Sequence, residues 1–470
     1  MEERGIKMTE LPSSLRGRVL VAGAGVSGRG CVAMLASLGV DTTVADSNET
    51  ALAELAEEFG VATVSVDSAA QGEFDLVVTS PGWRPDSPLL VAFQDAGVEV
   101  IGDVELAYRL DRAGVFGAPR TWLVVTGTNG KTTTTGMLAQ IMQADAKRTG
   151  KRALAVGNIG VSLFDALTAI PRVDILCAEL SSFQLHWSSH LRPDVGVLLN
   201  LADDHLDWHG SFDAYARAKA KVLSGDVAVV GKDDAEAVRY AADTADLFGF
   251  TAAEPTQGEV GVSAGRLVSR LNEQREDLAS AEGIEPAGLA GVLDAAAAAS
   301  VARLAGATPE SIAQGLAAYT VAGHRGAVVH EHSGITFIDN SKATNPHAAD
   351  AALKGLNSVI WIAGGQLKGA EVDGLVAKHA AHIKAAVVLG VDREEVAWAL
   401  AAHAPHAPVD VIETQEPFAA MNAAVEAALQ HADAGDTVLL APAAASLDMY
   451  TGMAQRGDVF AAAARELTRN

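Results

Sequence analysis

Two glycine-rich segments have the residue types and spacing that bind phosphate. The first is Gly23-Ala-Gly25-Val-Ser-Gly28, a G-x-G-x-x-G pattern that follows an apolar run. The second runs from Gly127 to Thr133 and contains a G-K-T core at residues 130–132. Backbone amides of such turns, together with the amino end of the following helix, attract anions. The sequence therefore predicts two phosphate-binding turns.

The first turn alone does not identify the nucleotide that it would bind. Asp46 lies at the end of the next predicted strand, 18 residues after Gly28, where an acid typically holds a ribose hydroxyl. Taken alone, this pattern favours an NAD-dependent oxidoreductase. Another nucleotide, such as a UDP-sugar, and a tight turn without any ligand are the alternatives.

The second turn favours ATP or GTP. Lys131 supplies a point charge for phosphates, and the Thr132 hydroxyl can bind Mg²⁺. The usual G-x-x-x-x-G-K-[ST] spacing is not met, because Val125 occupies the first glycine position. A dehydrogenase has no use for this second site, so the oxidoreductase hypothesis loses weight.

Candidate metal ligands follow the next predicted strands. Glu179 ends one apolar strand, and a polar cluster at residues 203–207 follows another. Mg²⁺ prefers oxygen, so Glu179 is a stronger candidate than His205, for which a hydrogen-bonded loop histidine is an equal interpretation. Lys219 lies on a predicted helix, where the residues alone favour a solvated charge.

The last third of the chain has polar turns at three predicted strand ends. They occupy residues 339–346, 364–368 and 441–448, and Arg325 lies at a predicted domain junction. Ordinary turn chemistry explains each one singly. Together they predict one ligand crevice, because the carboxyl ends of parallel strands share an edge of a sheet.

Short apolar runs alternate with helical segments, which is typical of α/β folds with parallel sheets. We predict strands near residues 18–22, 41–45, 62–66, 75–79, 98–101, 122–125, 174–179, 195–200, 226–230, 327–330, 335–339, 358–363, 385–390 and 437–440. We interpret residues 111–121 as a linker between domains and residues 257–275 as a hairpin insertion. Helices are predicted near 285–304 and 309–318.

Composition narrows the class of protein. The 470 residues include 35 Lys and Arg against 59 Asp and Glu, a net charge of −24. This argues against a general nucleic-acid binder and against a polybasic membrane-surface protein. Two cysteines cannot build a disulfide framework, no apolar stretch reaches membrane-spanning length, and residues 1–10 lack the apolar core of a signal peptide. We therefore expect a soluble, cytoplasmic protein of about three domains.

Further segments make the chain resemble the Mur ligase family of peptidoglycan synthesis, and in it the D-glutamate-adding branch. They are SPG at 80–82, GNIG at 157–160, ELSSFQL at 179–185, DHLD at 204–207, DNSKATN at 339–345 and PAAASLD at 442–448. The resemblance implies three α/β domains: a Rossmann-like UDP-binding domain at 1–115, a P-loop ATPase-like ATP- and Mg²⁺-binding domain at 116–321, and a Rossmann-like amino-acid-binding domain at 322–470. It also implies a monomer that uses ATP, two Mg²⁺ ions, UDP-N-acetylmuramoyl-L-alanine and D-glutamate, through an acyl phosphate.

The resemblance also implies roles for individual residues. Catalytic roles fall to Lys131, Glu179, His205, Arg325 and a carbamylated Lys219, with metal ligands among Thr132, Glu179, His205 and Lys219. ATP contacts fall to Gly127, Thr128, Asn129, Gly130, Lys131, Thr132, Thr133, Asp294, Arg325, Asp339, Asn340 and Lys342. Contacts with the UDP-sugar are implied for Val26, Ser27, Asp46, Ser80, Gly82, Asn158 and His205. Contacts with D-glutamate are implied for Thr344, Lys368, Ser446 and Leu447.

Some positions depart from the family pattern. Asp294 stands where an asparagine often contacts the nucleotide, Asp339 and Asn340 stand in the reverse of a common order, and Met453 replaces an aromatic residue. The competing hypotheses are a folylpolyglutamate or other amide ligase, an NAD-dependent oxidoreductase, and a catalytically dead nucleotide-binding regulator.

Overall fold

The computed structural model describes residues 11–321 and 323–469. Residues 1–10, for which no signal peptide is predicted, lie outside the described residues. The chain forms two compact units: the first runs to Ser280 and includes Asp294–Ala318, and the second comprises Ala281–Leu293 and the chain from Tyr319. Among the helices of the described segments, none has the length and apolar character needed to cross a membrane.

The first sheet has five parallel strands in the order β3-β2-β1-β4-β5. The strands are β1 (Val19–Ala22), β2 (Thr42–Ala45), β3 (Ala62–Val64), β4 (Leu76–Thr79) and β5 (Glu99–Gly102). The helices are α1 (Val26–Ser37), α2 (Glu49–Phe59), α3 (Val66–Ala69), α4 (Pro88–Asp95) and α5 (Asp103–Arg112). From β1 the chain adds strands on one side (β2, β3) and then on the other (β4, β5), so the topological switch point lies between β1 and β4. Open parallel sheets bind ligands at this point.

The second sheet, also in the first unit, has nine strands in the order β14-β13-β12-β11-β10-β9-β6-β8-β7. They are β6 (Thr121–Thr126), β7 (Ala153–Gly157), β8 (Ile175–Glu179), β9 (Val195–Leu198), β10 (Val227–Gly231), β11 (Leu247–Phe250), β12 (Glu259–Ser263), β13 (Arg266–Ser269) and β14 (Glu276–Ser280). Strands β12 to β14 pair antiparallel, so the segment interpreted as a hairpin insertion does form hairpins. Central β6 lies between β8 and β9, and the second glycine-rich turn follows it.

Among the described residues, eight α-helices lie between β6 and residue 321. They are α6 (Lys131–Thr149), α7 (Leu163–Thr168), α8 (Ser182–His186), α9 (Leu206–His209), α10 (Phe212–Ala220), α11 (Ala235–Tyr240), α12 (Leu289–Leu304) and α13 (Pro309–Ala318). Side-chain caps define where α8 and α10 begin, the two helices that matter most for the site. Ser181 and Gln184 form a capping box that begins α8 just after β8, and the Ser211 side chain caps α10.

The third sheet, in the second unit, has six strands in the order β15-β16-β20-β17-β18-β19, parallel except for β15. The strands are β15 (Ala327–His332), β16 (Ile335–Asp339), β17 (Val359–Ala363), β18 (Ile383–Val388), β19 (Val409–Val411) and β20 (Thr437–Leu440). The helices are α14 (Pro346–Leu353), α15 (Asp373–His379), α16 (Arg393–His403), α17 (Pro417–His431) and α18 (Met453–Leu467). The predicted α/β class with mostly parallel sheets is confirmed.

The stretch interpreted as a linker, residues 111–121, is anchored by a buried ion pair. Arg120 and Asp111 are 2% and 0% exposed, and Nη1 of Arg120 lies 2.7 Å from Oδ1 of Asp111. The other Asp111 oxygen accepts from the Arg120 amide and from the Trp122 indole, both at 2.9 Å. Arg120 also donates to the carbonyls of Leu167 and Val173. Both ends of this segment are therefore fixed in the core, and its role as a linker between domains stays a prediction.

Asp111→Asn is expected to destabilise the first unit by about 3–5 kcal/mol, because it leaves the Arg120 charge buried without a counter-charge. Asp277→Asn is the matched control, since Asp277 pairs with Arg266 at the surface, where both side chains are about half exposed, and should cost less than about 1 kcal/mol. Urea unfolding followed by circular dichroism measures both. Equal shifts of the two midpoints would contradict the anchoring role.

Candidate active site

A cavity of about 710 Å³ in the first unit is lined by turns at the carboxyl ends of strands from both of its sheets. Nine of the residues singled out from the sequence line it: Val26, Ser27, Asp46, Ser80, Gly82, Lys131, Asn158, His205 and Lys219. Both glycine-rich segments contribute to this one cavity. A long anionic ligand can therefore contact both turns at once.

The glycine-rich turn after β1 is shaped by close packing at two of its three glycines. A side chain at Gly23 would meet the Ser80 hydroxyl at 2.5 Å, and one at Gly28 would overlap the Gly23 carbonyl. Nothing lies within 4 Å of a side chain built at Gly25, which lines the cavity. The first and third glycines thus serve the fold, and the second leaves space open to a ligand.

Asp46 joins the end of β2 to this turn. One of its carboxylate oxygens accepts from the Ala24 amide at 2.6 Å, and the other from the Asn48 amide at 2.9 Å. Asp46 also lines a second cavity of about 530 Å³, formed by the starts of α2 and α3. Its carboxylate is therefore held at the border of the two cavities, where it can accept from a ligand hydroxyl.

The second glycine-rich turn wraps the start of α6. Helix α6 begins at Lys131, after Gly130 with a left-handed φ of 82°, and the first amides of a helix have no partner in the helix. The Lys131 ammonium lies 2.7 Å from the carbonyl oxygen of Thr128 and 3.0 Å from that of Gly127. The turn thus presents backbone donors and a cation, the donor set of a phosphate site.

Asp294, in α12, packs against this same turn. It accepts from the Thr134 hydroxyl at 3.2 Å, and a side chain at Gly130 would collide with its carboxylate. The departure from asparagine therefore puts a carboxylate beside the phosphate turn. The predicted nucleotide contact of Asp294 stays a prediction.

Glu179 is the centre of a small oxygen-rich cluster. It is 1% exposed, and its two oxygens accept from the Thr132 hydroxyl at 2.6 Å and from the Asn158 amide at 2.9 Å. In the described part of the chain, no group of three His, Cys, Asp or Glu side chains could hold a metal ion. A carboxylate beside a hydroxyl, next to a phosphate turn, still suits Mg²⁺, which often takes one or two protein ligands and completes its shell with phosphate and water.

His205 lies on the cavity wall at the start of α9 in a left-handed conformation, with φ 53°. Its ring lies 4.6 Å from that of Phe183, and Nε2 lies 3.5 Å from Asp204. Burial, partly offset by the Asp204 charge, lowers the pKa of the His205 imidazole. A neutral ring keeps a nitrogen lone pair for a proton or a cation.

Lys219 is buried below the phosphate turn, so its interpretation as a solvated helix-face charge is wrong. It is 2% exposed, and its ammonium lies 2.7 Å from the Gly127 carbonyl and 5.0 Å from the centre of the Tyr215 ring. Burial first, and then the charge of Lys131, lower the pKa of Lys219 well below its ordinary value. A lysine in such a place tends to be the neutral amine.

Two further residues of the cavity wall were not singled out from the sequence. Asp103 begins α5 beside Ser27 and Gln184, and burial raises the pKa of its carboxyl. Trp83 follows the Ser80-Pro-Gly segment and places its indole nitrogen over Gly23. An aromatic side chain in a turn directly after a strand end was the available signal for Trp83.

The strand-end turns of the second unit hold the remaining predicted residues. Asp339 is 1% exposed and accepts from the Ser341 amide at 2.9 Å and pairs with His324 at 2.7 Å. Burial raises the pKa of the Asp339 carboxyl. Arg325, Asn340, Lys342 and Thr344 lie in the same region, Lys368 is exposed in the turn after β17, and Ser446 and Leu447 follow β20.

Arg456, missed in the sequence, ties these turns together. It is 1% exposed and donates to the Ser341 hydroxyl and to the carbonyls of Ser341 and Ala444. Burial lowers its pKa to about 10. An arginine at the start of an Ala-rich helix reads as a surface charge, so no pattern in the sequence identified it.

Comparisons with known proteins cover nearly the whole chain. Three family models match: Mur ligase MurD-like, N-terminal domain at residues 17–102; Mur ligase middle domain at 125–263; and Mur ligase, glutamate ligase domain at 324–444. A UDP-N-acetylmuramoylalanine--D-glutamate ligase of Corynebacterium efficiens is 57% identical over 97% of this chain and 96% of its own length. Relatives of the same name are 49% identical in Rhodococcus jostii, over 95% of each chain, and 48% identical in Mycolicibacterium smegmatis, over 95% and 96%.

Solved structures agree on the fold. MurF of Acinetobacter baumannii aligns over 98% of each chain with a TM-score of 0.58 and 14% identity. UDP-N-acetylmuramate-alanine ligase MurC of Thermotoga maritima aligns over 96% of this chain and all of its own, with a TM-score of 0.55 and 17% identity. At these identities the alignments show a common architecture alone.

Proposed function

The chain belongs to the Mur ligase family, and from that premise we propose that it joins D-glutamate to UDP-N-acetylmuramoyl-L-alanine at the cost of ATP. The main support is the 57% identity, over nearly the full chain, with a UDP-N-acetylmuramoylalanine--D-glutamate ligase. The cavity that both phosphate-type turns line supports it, because the UDP-sugar carries a diphosphate and ATP a triphosphate. The oxidoreductase hypothesis gives no role to the second turn.

The reaction proceeds in two displacements. The alanyl carboxylate attacks the γ-phosphorus of ATP and forms an acyl phosphate, and ADP leaves. The amine of D-glutamate then attacks the acyl carbon; the tetrahedral intermediate expels phosphate, and the amine loses a proton. Positioning and charge neutralisation supply the rate in such reactions.

Residues of the phosphate turn and of the Glu179 cluster serve the first displacement. Lys131 exchanges its loop carbonyls for ATP phosphate oxygens. Thr132, Glu179 and His205 would hold Mg²⁺, and the bound ion would neutralise phosphate charge. Lys219, carried as a carbamate, adds a carboxylate-type oxygen to this set, and that is a reason for a lysine to be buried there.

The remaining assignments follow the same division. The glycine-rich turn, Asp46, Ser80, Gly82 and Asn158 hold the UDP-sugar, and a domain at 1–115 carries most of them. A central domain at 116–321 binds ATP, with Asp294 near the nucleotide. In a domain at 322–470, Arg325, Asp339, Asn340 and Lys342 serve ATP, and Thr344, Lys368, Ser446 and Leu447 receive D-glutamate. We place the enzyme in the cytoplasm as a monomer with two Mg²⁺ ions, and light scattering tests the monomer.

Phosphate release by the purified protein tests the function. With ATP, Mg²⁺ and UDP-N-acetylmuramoyl-L-alanine, release should depend on D-glutamate and should stay at background with L-glutamate, L-lysine or diaminopimelate. Release with another amino acid alone would overturn the assigned substrate. ATP binding without release under any of these conditions would favour a regulator.

Gly25→Ala is expected to raise KM for the UDP-sugar roughly tenfold or more, equivalent to about 1.4 kcal/mol, with a native melting temperature. Gly25 has an extended backbone, with φ −72° and ψ −168°, and a methyl group there enters only the cavity. Gly28→Ala is the contrasting variant, because its methyl would overlap the Gly23 carbonyl and should lower the melting temperature. Unchanged KM in Gly25→Ala would mean that the ligand does not approach this turn.

A further inference from the structure

Beside the glycine-rich turn lie two hydrogen-bond donors that have no acceptor among the described residues. The Ser80 hydroxyl is buried and has no hydrogen-bond partner in the described residues. The indole nitrogen of Trp83 lies 3.0 Å from a side-chain carbon built at Gly23, and none of the described residues accepts a hydrogen bond from it. An indole N–H donates and never accepts. Two unused donors therefore lie side by side over the first glycine of an anion-binding turn.

The indole is held in this place by its surroundings. A turn in which the Trp83 amide donates to the Ser80 carbonyl at 3.1 Å brings residue 83 back over the end of β4. The half-buried ring packs against the apolar cluster of the first sheet, and it lines the cavity. A donor fixed in this way loses little conformational entropy when it meets a ligand.

The part of the cavity near the glycine-rich turn is lined by carboxylates. Neutral hydrogen-bond donors are therefore needed to bind an anion there. Asp46 and Asp103 line the cavity and repel an anion, whereas Arg84 does not line it and pairs with exposed Asp86 at 3.0 Å. A diphosphate at the turn therefore depends on helix amides and on side-chain N–H and O–H groups. Hydrogen bonds to charged groups are stronger than bonds between neutral groups.

We propose that Trp83 is a substrate-binding residue whose indole N–H donates to the diphosphate of the UDP-sugar, beside the Ser80 hydroxyl. The inference rests on the proposed function, because the diphosphate is that of the proposed substrate. It assigns Trp83 to binding of this substrate alone. The residue has no part in ATP binding or in the chemical displacements.

Trp83→Phe keeps an aromatic ring and removes the N–H, so it separates donation from packing. KM for UDP-N-acetylmuramoyl-L-alanine and the calorimetric Kd for UDP should rise roughly tenfold, while kcat and the KM values for ATP and D-glutamate stay unchanged. Trp398→Phe is the matched control, because Trp398 is 67% exposed on α16 of the second unit. A Trp83→Phe variant with unchanged UDP affinity would overturn the proposal.

A second measurement needs no substitution. With ¹⁵N-labelled tryptophan, one of the six indole signals should move to lower field when UDP is added to the wild-type protein; no shift in any of them would overturn the proposal. UDP binding is measured without turnover. A protein that binds UDP through Trp83 and yet releases no phosphate with D-glutamate would contradict the proposed function and leave this inference standing.

Discussion

Glu179→Gln should lower kcat roughly 10³-fold, because it removes the buried negative charge of the Mg²⁺ and phosphate cluster while keeping the shape of the side chain. A glutamine can still accept from the Asn158 amide and can donate to the Thr132 hydroxyl. The two hydrogen bonds of Glu179 are thus replaced and not broken. The melting temperature should therefore stay near that of the wild type, and the loss should lie in turnover.

Glu276→Gln is the control for loss of a carboxylate in the same unit. Glu276 pairs with Arg303 at 2.8 Å, is partly exposed, and lies on β14 at the far edge of the nine-stranded sheet. Its turnover should match that of the wild type. Measuring D-glutamate-dependent phosphate release across a Mg²⁺ titration separates the two variants. Wild-type turnover in Glu179→Gln at low Mg²⁺ would remove Glu179 from the metal site.

Most of the strands were predictable, because buried parallel strands appear as continuous runs of Val, Ile and Leu. Strand β1 was predicted at 18–22 and lies at Val19–Ala22, and β16 was predicted at its observed bounds, 335–339. Strand β7 was missed because Ala153–Gly157 is built largely from alanine and glycine, which have weak strand preference. Strand β19 has three residues at a sheet edge, too few for a pattern.

The candidate site was predictable where function is carried by backbone turns. The two glycine segments and Glu179 lie at the ends of predicted strands, and parallel topology brings strand ends to one edge. Asn158 was assigned only through the family resemblance, because the strand before it was missed. Burial of charges was not predictable. Lys219 sits in a run of alternating alanines that favours no helix face, and Arg120 lies in a segment rich in glycine and proline. Their partners come from distant strands and loops, which local sequence does not reveal.

Lys219→Ala is expected to lose roughly 10²- to 10³-fold in kcat, the size of effect seen when one positioned electrostatic group is removed. In the wild type, the buried amine has its pKa lowered by burial and by Lys131. In its neutral form the amine can add to CO₂, giving a carbamate and a proton. The alanine variant has no amine, so bicarbonate should not restore activity.

Short carboxylic acids should restore part of the activity of Lys219→Ala, because formate or acetate can enter the space left by the side chain and supply the missing carboxylate oxygens. Lys219→Met tests this, since methionine fills the same space without charge and leaves no room for the acid. Lys221→Ala is the matched control: its ammonium donates to the His186 carbonyl at 2.6 Å, so kcat should stay near wild type. Equal rescue of the alanine and methionine variants would mean that the acids act elsewhere. Undiminished activity of Lys219→Ala would mean that the buried lysine supports only the fold of the phosphate turn.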